Sequence, residues 1–155
     1  MSSRSRLLGI DFGSVRVGLA VSDADRRIAS PLDTYSRRDP QRDAQYFRQL
    51  VETEEIGQIV VGLPVHLDGR EGVKAGEART FGTWLEEITG LPLVYWDERF
   101  TTVEAEGHLL AAGLTNKRRK SRRDRVPAQI LLQSYLDAGC PGERPISGLQ
   151  DNNKS

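Results

Sequence analysis

The chain has 155 residues, 37% of them hydrophobic, with 22 Lys+Arg set against 22 Asp+Glu and one cysteine, Cys140. That length suits one domain, expected over residues 1–140, which buries its core without help from disulfides or structural metals, and a lone thiol excludes an internal disulfide. The apolar run near the amino end is too short for a signal peptide and no segment reaches the length of a membrane span, so a soluble cytoplasmic protein with no membrane partner is expected.

Residues 7–10 form an apolar run that predicts a short buried strand ending on Asp11. After a turn holding Gly13, the alternation of Val15, Val17, Leu19 and Val21 predicts a second strand. A third is expected in RRIASPL, residues 26–32, so the chain opens as an antiparallel meander. Asp39-Pro40 then reads as an N-cap followed by a first helical residue, with Ala44, Phe47, Leu50 and Val51 on one face of the helix. In IGQIVVGLP the uninterrupted run at 59–61 suits a strand covered on both faces. A second helix is expected over about 74–88, with Ala78, Phe81, Leu85 and Ile88 at helical spacing and Gly90 as its stop. The strand PLVYW leads into Asp97 and Glu98, and Thr101 with Glu104 reads as a capping box for a helix reaching Ala112, closed by Gly113. A last helix is expected over 126–137, and the tail from 141 to 155 is expected to be disordered.

Helical connections between strands cross over right-handedly, which sets the strands at 59–61 and 93–96 parallel to a neighbour. If that neighbour is the first strand, Asp11, Gly62 and the pair Asp97/Glu98 share one edge of the sheet, the edge where ligands bind in open α/β sheets. Asp11 is costly to desolvate unless a hydrogen bond, an arginine or a cation compensates it. A second carboxylate beside it calls for a shared proton or a hard cation. Consecutive strand residues point to opposite faces, so only one of Asp97 and Glu98 joins Asp11, and the pattern leaves open which.

Each acid also has a plainer reading. Asp11 stands equally well as a turn former, whereas the residues alone favour Asp97 as a salt-bridge partner on the opposite face and Asp124 as the N-cap of the last helix. His66 and His108 lack metal-ligand spacing and read as structural or exposed. The zero net charge hides an uneven distribution, because KRRKSRRDR, residues 117–125, holds seven basic residues and one acid, +6 against −6 for the remainder. A local basic segment on an acidic body is the pattern of a protein that meets a polyanion with one loop, although a solvated charged loop has the same composition. Lys117, Arg118, Arg119, Lys120, Arg122 and Arg123 are the expected phosphate contacts there, joined by Arg16 and Arg99, each of which could equally be a solvated surface arginine.

Four blocks, GIDFGSVRVGLAVSD, IVVGLPVHLDGREG, WDERFTTVEA and RDRVPAQILLQSYLD, run in this order through nearly the whole chain. Together they resemble the YqgF/RuvX family of Holliday-junction-resolvase-like, candidate pre-16S rRNA nucleases. The resemblance implies an α/β, RNase H-like fold: a mixed central sheet with an antiparallel opening meander and helices on both faces. It implies that Asp11, Glu98 and Asp124 are the catalytic, metal-holding acids, which selects Glu98 over Asp97. It also implies two divalent ions, Mg²⁺ or Mn²⁺, that ready a water and stabilise the leaving oxygen of an in-line phosphodiester displacement. No nucleophilic Ser or Cys is then needed. The family's usual Ala-Ala after the last Asp is replaced by Pro127-Ala128, with Pro127 expected in the first helical turn, where its missing N–H costs little.

The function so implied is a metal-dependent endonuclease acting on structured nucleic acid, the 5′ end of pre-16S rRNA first, with the ribosome as a further partner and a monomer or homodimer as the working form. Two alternatives keep the fold: a Holliday-junction resolvase acting on branched DNA, and a nucleic-acid- or ribosome-binding module that does not cut. GIDFGS also resembles the phosphate loop of actin-like and sugar-kinase ATPases, but the chain is too short for their two lobes and lacks a G-x-x-x-x-G-K-[ST] element.

Overall fold

A computed structural model describes residues 6–101 and 127–141. Strands β1 (Arg6–Asp11), β2 (Arg16–Ser22) and β3 (Ala29–Ser36) form the antiparallel meander, and β4 (Ile56–Leu63) and β5 (Leu93–Asp97) extend the sheet in parallel. The strand order is β3-β2-β1-β4-β5, with β1 at the centre. Helices α1 (Pro40–Thr53), α2 (Val73–Thr89) and α3 (Ala128–Asp137) cover it. Among the described residues no helix is long and apolar enough to cross a membrane.

Local rules account for most boundaries. Asp39 caps α1, its Oδ1 accepting the Arg42 N–H at 2.8 Å, with Pro40 behind it in the first turn. Gly90 ends α2 in the left-handed region at φ 72°, its N–H bonded to the Glu86 carbonyl. The differences lie where hydropathy is silent. β2 begins at Arg16, because Val15 is 65% exposed in the turn. β3 continues past residue 32 to Ser36 on a mostly exposed sequence, since an edge strand is held by its ladder to β2 and not by burial. β4 is also longer than its apolar kernel, running from Ile56 to Leu63.

The period-two alternation sorts the sheet into two faces. Leu8, Ile10, Val17, Leu19, Ile59, Val61 and Leu63 pack with Phe47 and Val51 of α1 and with Phe81 and Leu85 of α2. Leu7, Ala20 and Val60 pack with Leu132, Tyr135 and Leu136 of α3 on the other face. The expected fold, with helices on both faces, is therefore observed. α3 lies very close to β1 because residue 9 is glycine: a Cβ there would sit 2.8 Å from Leu132 Cβ. Its long-axis position is fixed by side-chain bonds to the edge strand, where the Gln133 Oε1 accepts the Ala29 N–H at 2.9 Å and Gln129 Nε2 donates to the Ala29 carbonyl.

Two expectations at helix starts are corrected. The N-cap of α3 is Pro127, at φ −58° and ψ 147° and with no side-chain cap bond, so Pro127 stands before the first turn and not inside it, and the cap position considered for Asp124 belongs to Pro127. Residues 99–101 are already helical, so Thr101 is not an N-cap; its hydroxyl donates back to the Glu98 carbonyl at 2.7 Å. Glu104, His108, the helix expected to Ala112 with its stop at Gly113, the basic segment and the tail beyond residue 141 lie outside the described residues.

Candidate active site

Parallel pairing of β1 with β4 and of β4 with β5 brings three carboxyl ends to one edge, as in the registers Ile10↔Val61 and Leu63↔Asp97. A cavity of about 290 Å³ opens there, lined among others by Asp11, Arg16, Gly62, Lys74, Glu77 and Glu98. On β1 the residues facing α3 are the odd ones, so Asp11 points toward α3 together with Leu7 and Gly9, and it is only 8% exposed.

A glycine lies beside each carboxylate, and the one beside Glu98 makes room for it. Asp11 pairs across the ladder with Gly18, where a Cβ would come within 3.5 Å of Asp11 Cβ and 3.9 Å of Ala128 Cβ. At Gly62 a Cβ would meet Glu98 Oε2 at 2.7 Å and Leu131 Cδ2 at 3.0 Å, so Glu98 lies across β4 in room that glycine leaves. The Glu98 N–H donates to the Leu63 carbonyl at 3.0 Å, carrying the β4–β5 ladder one residue past Asp97 and orienting the side chain.

Asp97 has the opposite task. It is buried, and Arg99 folds back on it, with Nη2 donating to Oδ2 at 2.6 Å and the backbone N–H of Arg99 donating to Oδ1 at 2.9 Å. The Asp97 carboxylate pushes the already high pKa of the Arg99 guanidinium further up. Arg99 also donates to the Leu67 carbonyl at 3.3 Å, which ties the strand end to the loop after β4. That loop is pinned again by the Val65↔Glu71 bridge and by the two-pronged Arg79–Glu71 pair, whose guanidinium holds the Glu71 carboxyl below its ordinary range. Of the two arginines expected near phosphate, Arg16 lines the cavity and is exposed, whereas Arg99 is committed to Asp97 and Leu67.

Lys74 and Glu77, on the first turns of α2, were not among the expected site residues. Their only local signal is helical spacing, and nothing in that spacing says that the start of α2 overhangs the end of β1. Asp124 and the basic positions Lys117, Arg118, Arg119, Lys120, Arg122 and Arg123 lie outside the described residues. Among the described residues no group of three or more His, Cys, Asp or Glu could hold a metal ion. Asp11 and Glu98 on one cavity nevertheless offer the hard oxygen donors that Mg²⁺ and Mn²⁺ prefer, with Gly62 leaving room for Glu98, so the donor set fits such a cation. A second groove, of about 670 Å³, reaches Asp11 from the other side along Gly18, Pro127 and Ala128, so the described chain resumes beside the first carboxylate.

The RuvX family model, described as Holliday junction resolvase, matches residues 5–138. A relative from Rhodopirellula baltica is 48% identical over 95% of this chain and 86% of its own length; one from Protochlamydia amoebophila is 45% identical over 88% and 95%. A third, from Koribacter versatilis, is 41% identical over 92% and 94%, and all three are named as candidate pre-16S rRNA nucleases. Among solved structures, Thermus thermophilus RuvC in complex with a Holliday junction substrate superposes with a TM-score of 0.57 at 16% identity, covering 86% of this chain and 94% of that one. RuvC shares the RNase H-like fold, so the superposition bears out that fold here. With the family model covering nearly all of the described strands and helices, the chain belongs to the RuvX family.

Proposed function

We propose that this chain is a metal-dependent endonuclease that hydrolyses phosphodiester bonds of structured nucleic acid, with the 5′ end of pre-16S rRNA in ribosome biogenesis as its substrate. The observation that carries the reading is that Asp11 and Glu98 share one cavity, which Gly62 also lines, while Asp97 is turned away into an ion pair. Asp11, Glu98 and Asp124 are the proposed metal-holding acids, with two ions in the complete site. Asp124 is three residues before Pro127, a reach of about 10 Å at most from the groove that Pro127 shares with Asp11. When bound, the cations supply a nucleophilic water at neutral pH and charge stabilisation for the leaving oxygen. The chain's own residues do the rest. Asp11 and Glu98 orient that water's surroundings, and Arg16 and Lys74 on the same cavity neutralise the incoming phosphate. The basic run at 117–125 steers the polyanion toward them.

The substrate choice rests on the relatives' names. Branched DNA is the second reading, favoured by the family's description as Holliday junction resolvase. Both are tested by incubating the wild type and Asp11→Asn with Mg²⁺ or Mn²⁺ and labelled pre-16S leader RNA, single strands and four-way junctions. Cleavage of the leader RNA that needs metal and disappears in Asp11→Asn is the expected result. Junction cleavage alone would move the substrate to DNA, and no metal-dependent cleavage of any substrate would sink the nuclease reading.

A further inference from the structure

Beyond the carboxylates, a groove of about 700 Å³ runs along α2, and Phe12, Arg37, Gly76, Thr80, Phe81 and Trp84 line most of it. It is continuous with the candidate active site, because Phe12 and Glu77 line both. Phe12 follows Asp11 in the chain but packs on the α1/α2 face, so the groove meets the carboxylate cavity at the edge of the sheet.

The lining is built to take something flat and uncharged. Phe12 and Phe81 lie with ring centroids 4.7 Å apart, and Trp84 stands 5.6 Å from Phe81. Arg37 extends over both phenylalanines, its Cζ 5.6 Å from the Phe12 centroid and 5.2 Å from that of Phe81. That guanidinium is held in place by the fully buried Asp43, whose Oδ2 accepts the Arg37 Nε–H at 3.1 Å. Its charge is thereby balanced within the protein. Glu77 at the rim adds a negative charge, which disfavours a phosphate inside the groove but leaves an acceptor for the exocyclic amines of a base. Gly76 completes the surface. It sits inside α2, where glycine is the poorest choice after proline, yet a Cβ there would have no neighbour within 4 Å. Packing does not require glycine at this position, whereas a flat wall for a ligand does.

We propose that this groove holds an unpaired nucleobase of the substrate strand, stacked against Arg37 and the partly buried Phe12 and Trp84, which the buried Phe81 backs, next to the nucleotide whose phosphate enters the carboxylate site. Stacking on aromatic rings and on guanidinium planes is how single-stranded nucleic acid is held without reading its sequence. The inference rests on the nuclease reading for the identity of the strand, and its test is read without cleavage.

The experiment measures binding of single-stranded oligonucleotides carrying 2-aminopurine, in EDTA, to the wild type and to Gly76→Leu. Leucine is a better helix former than glycine and points into the groove, so the variant should fold normally and fill the site. Binding should weaken by about five- to a hundredfold, the range expected for one lost base-stacking contact, and the quenching of 2-aminopurine should disappear. The salt dependence should not change, since no phosphate contact is removed. A second arm leaves the protein untouched: an abasic oligonucleotide should bind the wild type as weakly as the intact strand binds Gly76→Leu, and the two losses should not add. Equal binding by both proteins, or a Gly76→Leu loss that ignores base removal, would overturn the proposal. So would a concentration-dependent dimer dispersed by Gly76→Leu, which would make the occupant a second copy of the chain. Asp11→Asn should stack the base as the wild type does while losing cleavage, so a failed nuclease reading leaves its own separate signature.

Discussion

At the scale of single residues, adjacent acids serve opposite faces of one strand end. Asp97 is spent on Arg99, and Glu98 crosses the open position at Gly62 toward the cavity of Asp11. Glu98→Gln should therefore reduce metal-dependent cleavage to background with the fold intact, as judged by circular dichroism. Asp97→Asn should keep cleavage but lower stability by about 1–3 kcal/mol, because it strips Arg99 of its charged partner. The reverse ranking would mean that the wrong face had been chosen. Asp43 offers a pH test. Burial alone would raise its pKa, but the Tyr35 hydroxyl at 2.6 Å, the Arg38 N–H and the Arg37 guanidinium outweigh burial and hold it below the ordinary carboxylate range. A depressed carboxylate contributes stability that is complete above its unfolded pKa and is lost as pH falls through the folded one. Thermal melts from neutral to about pH 3 should thus show an acid limb that flattens in Asp43→Asn, at a cost near neutrality of about 1–3 kcal/mol. Tyr35 has the opposite sign: burial and the bond to Asp43 push it up to about 12, so its contribution erodes as pH rises beyond the ordinary tyrosine value of 10.0.

Among the elements, α3 decides how the carboxylate edge is covered. Gly9 lets it settle onto β1, and the atom that an added Cβ would strike is Leu132 Cβ, which is tied to the helix backbone and cannot rotate away. Gly9→Ala should consequently push α3 outward and destabilise the protein by about 1–3 kcal/mol, measured by denaturant unfolding. A neutral result would show that α3 is loosely seated. The start of the same helix separates two roles for Asp124. Because Pro127 is the N-cap, Asp124→Asn and Asp124→Ala should melt alike without metal, and both should lose cleavage if Asp124 is the third acid. A cost of about 1 kcal/mol confined to Asp124→Ala would instead return it to a capping role.

For the molecule as a whole, zero net charge divides into a +6 segment at 117–125 and an acidic remainder, so nucleic-acid affinity should depend on that segment. Replacing Arg118, Arg119 and Lys120 with Gln should lower the slope of log K against log salt by about 2 on a single strand and nearly 3 on duplex DNA. An unchanged slope would make the segment merely solvated. The sequence by itself determined the meander, the two parallel strands and the shared edge of Asp11, Gly62 and the pair Asp97/Glu98, because period-two alternation, helix caps and right-handed crossovers are rules of local geometry, whereas the choice of Glu98 came from the family resemblance. It could not locate the ends of β3, whose exposed edge is held by ladder bonds to β2, nor the true start of α3 at Pro127. Tertiary structure alone decided that Gly62 clears space for Glu98 and that Lys74 and Glu77 overhang the site. Those are contacts between side chains far apart in the chain or on opposite faces of a sheet, and no periodicity along one segment encodes what another segment sets beside it.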